Sequence, residues 1–195
     1  PGPDGVSEFL LKKGGYYLIE PLTHLFQYSL MHGLIPKLWK LANVMPVFKK
    51  GNRSDPNNYR PISLTSYMGK LMERILKENI MEYLERNDLL NSSQHAFLKN
   101  KSCITNLIKL ADRFTDWVDK GLAIDIFYFD FSKAFDRVSH EKLITKLEVL
   151  GISELFIQWI REWLMDRFQR VVVDKAASDF VKIKSGGPAR QCFWN

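Results

Sequence analysis

The chain has 195 residues, 46% of them apolar and 13% aromatic, with a formal charge of +6 and a pI near 9.3. That composition excludes a disordered chain, leaves room for one large domain or two small subdomains, and suits a polyanionic partner. It contains no apolar run of about 18 residues and no secretory leader, so neither a membrane span nor secretion is expected. Cys103 and Cys192 lie far apart in no metal or disulfide pattern, which points to a reducing intracellular compartment, cytoplasmic or nuclear. The chain starts at Pro1 rather than Met and reads as a piece of a longer protein.

Pro1-Gly2-Pro3-Asp4-Gly5 is a turn-forming entry. Helical patterning from Ser7 breaks at Gly14 and Gly15. It resumes through Leu18, Leu22, Leu25, Phe26 and Leu30 and stops near Gly33 and Pro36. Val44, Met45, Val47 and Phe48 then read as a strand, 49–58 as a polar turn-rich loop, and 59–64 as a second strand. The pair makes a hairpin at about 42–64 with a basic tip, Lys49, Lys50 and Arg53, and with Arg60 on its returning strand. Such a tip suits an anionic ligand, because arginine matches phosphate oxygens with two parallel bonds. Ser66 caps a long amphipathic helix carrying Met68, Met72, Ile75, Leu76, Ile80 and Leu84. A loop at 87–94 leads to another helix at 103–120.

The apolar, aromatic run 124–129 has strand character and delivers one carboxylate, Asp130, at its end, with Ser132 placed to cap a short turn or helix. A carboxylate fixed at the end of a buried strand suits Mg²⁺, which takes hard oxygen ligands, and the Phe131 carbonyl could add a second oxygen. Ser139 opens a helix with Leu143, Leu147 and Leu150, ended by Gly151. Ser153 opens the next, with Phe156, Ile157, Ile160 and Leu164 on one face and with Trp159 and Trp163 spaced as core residues. Two strands at 170–174 and 179–183 flank a polar turn.

The string Phe129-Asp130-Phe131-Ser132-Lys133-Ala134-Phe135-Asp136 resembles the first catalytic motif of reverse transcriptases from non-LTR, jockey-like retrotransposons. Val44-Met45-Pro46-Val47-Phe48-Lys49-Lys50-Gly51 and Asn58-Tyr59-Arg60-Pro61-Ile62-Ser63-Leu64 resemble the fingers hairpin of that family. Gln94-His95-Ala96-Phe97-Leu98-Lys99 resembles its next block, departing at Ala96 and Leu98, where glycine and arginine are usual. The resemblance implies an α/β fold (α+β): fingers over 1–120 and part of a right-hand polymerase palm over 121–185, with no thumb. It also implies RNA-directed DNA synthesis with two Mg²⁺ ions, Asp130 being the catalytic metal ligand, helped by the Phe131 carbonyl. The phosphates of the incoming nucleotide would be held by Arg60 and by either Lys49 or Lys50. Its sugar would meet Ala134 and Phe135, the ring excluding a 2′-hydroxyl, while Gln94, Lys99 and Lys101 lie near template and primer.

The partners so implied are an RNA template, a DNA primer, a deoxynucleoside triphosphate and the rest of a polyprotein, with a thumb and possibly an endonuclease. The second catalytic motif of the family, Tyr-x-Asp-Asp, is absent from this sequence. Where the family has Gly-Val-Pro-Gln-Gly-Ser-Val-Leu-Gly, this chain has Gly186-Gly187-Pro188-Ala189-Arg190-Gln191-Cys192-Phe193-Trp194. Inserting one base after the first family codon converts the former into the latter, so 186–195 is expected to be an out-of-frame tail. The fragment alone is then expected to be inactive. The alternative is a non-catalytic nucleic-acid-binding remnant, and a group II intron-type polymerase is a weaker third reading.

Overall fold

In the computed structural model, which describes residues 2–131, 134–174 and 176–183, most helices begin at side chains that satisfy their first amides. Helix α1 (Glu8–Gly14) opens at Ser7, whose hydroxyl accepts from the Leu10 amide. After a 3₁₀ turn at Gly15–Leu18, α2 (Ile19–His32) ends at Gly33, left-handed at φ +63°. Ser66 caps α3 (Tyr67–Arg86) by accepting from the Gly69 amide at 3.3 Å. Ser102 and Thr105 form a reciprocal capping box at the start of α4 (Cys103–Asp119). Ser139 caps α5 (His140–Val149), and α6 (Glu154–Leu164) follows Ser153. The expected cap at Ser132 and the tail at 186–195 lie outside the described residues.

The chain forms two units, Pro1–Met81 with Lys133–Asn195, and Glu82–Ser132. The first is built on a mixed sheet. Strand β1 (Leu41–Phe48) pairs antiparallel with β2 (Tyr59–Thr65), from Ala42 opposite Thr65 to Phe48 opposite Tyr59. On its other side β1 runs parallel to β3 (Phe168–Val173). Of the expected return strand at 179–183 the pair Val181–Lys182 forms β5, and β4 (Ala176–Ala177) lies ahead of it, in the expected polar turn; both are antiparallel to β3. Between the two, the Ser178 hydroxyl accepts from the Val171 amide at 3.0 Å, where a backbone carbonyl would continue the ladder.

Over β1 and β2 one face of the sheet is closed, whereas Gln169 and Val171 on the same side of β3 are exposed. Ala42, Val44, Ser63 and Thr65 are buried, as strand alternation requires of residues on one side. Trp159 and Trp163, one turn apart on α6, stack at 5.2 Å and are both fully buried. The Trp159 indole N–H donates to Ser29 on α2 at 3.0 Å, and that of Trp163 donates to Glu73 on α3 at 2.7 Å. Arg167 lies over the Trp163 ring at 4.3 Å and donates to the Trp163 carbonyl. Burial pushes its guanidinium down to about 10, against the pull of Glu73, which leaves it charged at neutral pH. On α5 the buried residue is Ile144, whereas the expected Leu143, Leu147 and Leu150 are half-buried.

The second unit holds the end of α3, the loop 87–102, α4 and the segment 120–131. Here one expectation fails: 124–129 forms no strand. Among the described residues it has no hydrogen-bonded neighbour strand, and Phe127, Tyr128, Phe129 and Phe131 are 77–89% exposed. A strand is stable only as a member of a sheet. The resemblance implies pairing with a Tyr-x-Asp-Asp hairpin, and this sequence contains none. Local β-propensity alone does not make the element.

Trp163→Phe keeps the ring and removes the donor to Glu73. A buried carboxyl oxygen then loses a short bond, and we expect a stability loss of about 2 kcal/mol, seen as a lower urea midpoint with an unchanged slope. An unchanged midpoint would show that this bond does not hold α3 against α6.

Candidate functional site

The hairpin loop is not a loose basic flap. The Asp55 carboxylate accepts from the Asn57 amide at 2.9 Å, and Asn52 accepts from the Ser54 amide at 3.0 Å. The Asn58 side chain donates to the Asn52 carbonyl, and the Tyr59 hydroxyl to the Arg53 carbonyl at 2.8 Å. Gly51 sits at φ +91°, where a β-carbon would meet the Asn58 side chain at 2.7 Å. These bonds fix the direction in which each cation leaves the hairpin.

The register then sorts the cations. Phe48 and Tyr59 are opposite each other on the closed face, their rings edge to face at 5.4 Å, and Arg53 lies over Phe48 at 5.2 Å. Val47 is opposite Arg60, so Arg60 stands on the outer face. The ladder continues through the Lys49 amide, which donates to the Asn58 carbonyl at 2.8 Å. Alternation puts Lys49 two residues past Val47 and back on that same outer face, diagonal to Arg60. Of the two lysines, Lys49 therefore shares the outer face with Arg60, and Lys50 lies past the end of the ladder.

In the second unit the segment around Gln94 is stapled by its own lysines. The Lys101 ammonium donates to the carbonyls of Ser92 at 3.1 Å and Gln94 at 2.9 Å, and Lys109 also reaches Ser92. The Gln94 side chain donates to the Ala96 carbonyl. Lys99 lines a shallow cavity with Leu84, Glu85, Asp88, Leu90 and Lys101. His95 Nδ1 lies 3.0 Å from the Thr105 hydroxyl. Desolvation, then Lys101 and Lys109, hold its pKa below the usual histidine value, so the ring is neutral at pH 7. That is a structural histidine, as its place in the loop suggests.

Asp130 is exposed on the unpaired segment, and the Phe131 side chain beside it is exposed as well. Among the described residues no group of three or more His, Cys, Asp or Glu side chains could hold a metal ion. One carboxylate and one carbonyl do not complete the coordination of Mg²⁺, which wants six oxygens in near-ideal octahedral order. The residues described therefore do not by themselves fit the implied metal site. Ala134 begins a 3₁₀ turn, Ala134–Arg137, and is exposed, while the Phe135 side chain lies outside the described part. Arg170 was given no role by the sequence reading. Its alternation with Phe168 and Val172 on β3, a cation between two half-buried apolar residues, was the available signal.

Residues 47–188 match the family model described as reverse transcriptase (RNA-dependent DNA polymerase). The chain is 30% identical over 189 residues to the "Probable RNA-directed DNA polymerase from transposon BS" of Drosophila melanogaster, covering 96% of this chain and 21% of that protein. It is 27% identical to the RNA-directed DNA polymerase from mobile element jockey of the same species, again over 96% of this chain and 20% of that protein. A Pol polyprotein from the type-1 retrotransposable element R2 of Popillia japonica is 27% identical over 72% of this chain and 19% of that protein. The chain thus spans about a fifth of the length of these relatives.

An NMR titration of His95 should give a midpoint below 6.5, and Lys101→Met should move it upward by removing one of the two facing ammonium groups. A midpoint unmoved by that change would mean that Lys101 does not face the ring. Because the folded pKa is the lower one, stability is expected to fall as pH drops below 6.5 and to level off below the folded midpoint.

Proposed function

The chain belongs to the reverse transcriptase family, and on that premise we propose that it forms the fingers, 1–120, and the first part of the palm, 121–185, of an RNA-directed DNA polymerase from a non-LTR mobile element. The observation that carries this reading is the hairpin register: Lys49 and Arg60 share the outer face within the matched region. Together they hold the phosphates of an incoming deoxynucleoside triphosphate, Arg60 through its planar fork and Lys49 as a mobile point charge. Ala134 and Phe135 meet the sugar, and the Phe135 ring excludes a 2′-hydroxyl. The substrates are an RNA template and a DNA primer, met in part by Gln94, Lys99 and Lys101. For Lys101 that contact costs the two carbonyl bonds it makes in the loop.

Reverse transcriptases use divalent metal ions. Asp130 and the Phe131 carbonyl supply part of a Mg²⁺ site, and further carboxylates must come from elsewhere in the parent protein. Nucleotidyl transfer with two metals needs more than one bridging carboxylate. The parent also supplies a thumb and works inside the cell. The segment 186–195 is an out-of-frame reading of the next family motif, and the family match ends at 188, just inside it. The single carboxylate also favours a second reading, a remnant that binds nucleic acid without catalysis.

Two measurements test this. Binding of a fluorescent deoxynucleoside triphosphate should weaken about tenfold in Lys49→Ala and in Arg60→Ala, the loss expected for one charge-assisted contact, and less than twofold in Lys50→Ala. Equal losses in all three variants would overturn the assignment of Lys49 over Lys50. Primer extension on an RNA template with Mg²⁺ should be absent from this chain alone. Extension would overturn the claim that it lacks necessary carboxylates.

A further inference from the structure

Cations on the outer face of the first unit's sheet are held in different ways. Arg170 is fixed by its own neighbours: its guanidinium lies 4.8 Å over the Phe180 ring, and its Nε donates to the Asn43 amide oxygen at 2.9 Å. Lys49 and Arg60 lack such support. Among the described residues neither side chain has a hydrogen bond or an ion pair, so their placement depends on the backbone of the hairpin. That backbone is weakest at its tip. The bond from the Lys49 amide to the Asn58 carbonyl is the last rung of the ladder, and a terminal rung frays readily unless the loop beyond it is held.

Two kinds of side-chain bond hold that loop. Those from Asn52 to Ser54 and from Asp55 to Asn57 span two residues and shape the loop without tying it to a strand. Two others cross it. From the return arm, the Asn58 side chain donates to the Asn52 carbonyl at 2.9 Å, and the Tyr59 hydroxyl donates to the Arg53 carbonyl at 2.8 Å. Each spans six residues and fastens the outgoing arm of the loop to the start of β2. The Tyr59 ring is itself braced, edge to face with Phe48 at 5.4 Å, and the Arg53 guanidinium lies over the same Phe48 ring at 5.2 Å. Strand alternation puts Tyr59 on the face opposite to Arg60, its neighbour in sequence, and to Lys49. A phenol there does not reach a phosphate held by Lys49 and Arg60. It acts only through them.

We propose that Tyr59 is a positioning residue for the triphosphate site: by fastening the loop at Arg53, its hydroxyl keeps the Lys49–Asn58 rung closed and so keeps Lys49 beside Arg60. The inference rests on the reading of Lys49 and Arg60 as the phosphate-holding pair and adds the group that keeps the pair assembled. Without the hydroxyl, the ring still packs on Phe48, and β1 and β2 keep their register. The end of the hairpin is then frayed for part of the time. Apparent affinity falls in proportion to the fraction of chains in which the pair is complete.

The test uses the whole 195-residue chain, a fluorescent deoxynucleoside triphosphate and the variant Tyr59→Phe. Affinity should fall about fivefold, the effect of one neutral hydrogen bond, with the melting temperature retained. Hydrogen exchange of the peptide 49–58 should quicken in the same variant. In a Lys49→Ala background, Tyr59→Phe should cost no further affinity, because the rung it guards then carries no cation. A residue that merely supports the fold would weaken both backgrounds equally. An unchanged affinity in Tyr59→Phe, or an equal loss with and without Lys49, overturns the positioning role and leaves the triphosphate assignment standing. Faster exchange across the whole sheet, with a lowered melting temperature, shows a structural role and also overturns it. An unaltered chain that binds no triphosphate overturns the reading of the Lys49–Arg60 pair, and the positioning role falls with it.

Discussion

A buried carboxylate sets the architecture of the first unit. Glu73 lies fully inside on α3, where an ionised group is tolerable only with strong donors. The Trp163 indole provides one at 2.7 Å, and the Arg167 charge lies against the same indole. Satisfying Glu73 therefore fixes α3 against α6 and against the entry to β3. Since α3 leaves β2 through Ser66, and β3 leaves α6 through Arg167, the same contact determines where β1 finds its parallel partner. Gly69, one turn before Glu73, completes the fit, because a β-carbon there would stand 2.9 Å from the Trp163 ring.

Burial of one face of β1 and β2 leaves their other face outward. Every residue of β1 and β2 alternates between the two, so the burial of Ala42, Val44, Ser63 and Thr65 forces Asn43, Met45, Val47 and Arg60 outward. The cations on that side are not a diffuse basic patch. Arg60 and Lys49 are placed by ladder register, and Arg170 by a ring and an amide. The second unit lacks such a frame, and its aromatic run remains solvated with Asp130 at its end. A metal-binding carboxylate gains its value from rigid placement, so a strand without neighbours delivers the residue without the site.

Elements written by local chemistry were legible in the sequence. Serine caps, the glycine stop at Gly33, the hairpin turn residues and the tryptophan face of α6 all act over a few residues, and the elements expected from them within the described residues are present. Elements that depend on distant partners were not. The run at 124–129 has every local mark of a strand, yet among the described residues no strand pairs with it. The short β4 falls where a polar turn was expected, and between it and β5 the Ser178 hydroxyl takes the Val171 amide in place of a backbone carbonyl. The family was readable from consecutive motif residues, whereas the preference for Lys49 over Lys50 needed the observed register.

The most direct test of the account is where a nucleic-acid strand touches the chain. Photo-cross-linking of 4-thiouridine-containing RNA, followed by mass spectrometric mapping of the adducts, reads this without any substitution. The account predicts adducts on the β1–β2 hairpin and in the loop around Gln94, at Lys99 and Lys101. Adducts confined to α1, α2 and α5, with none on the hairpin or in that loop, would contradict it.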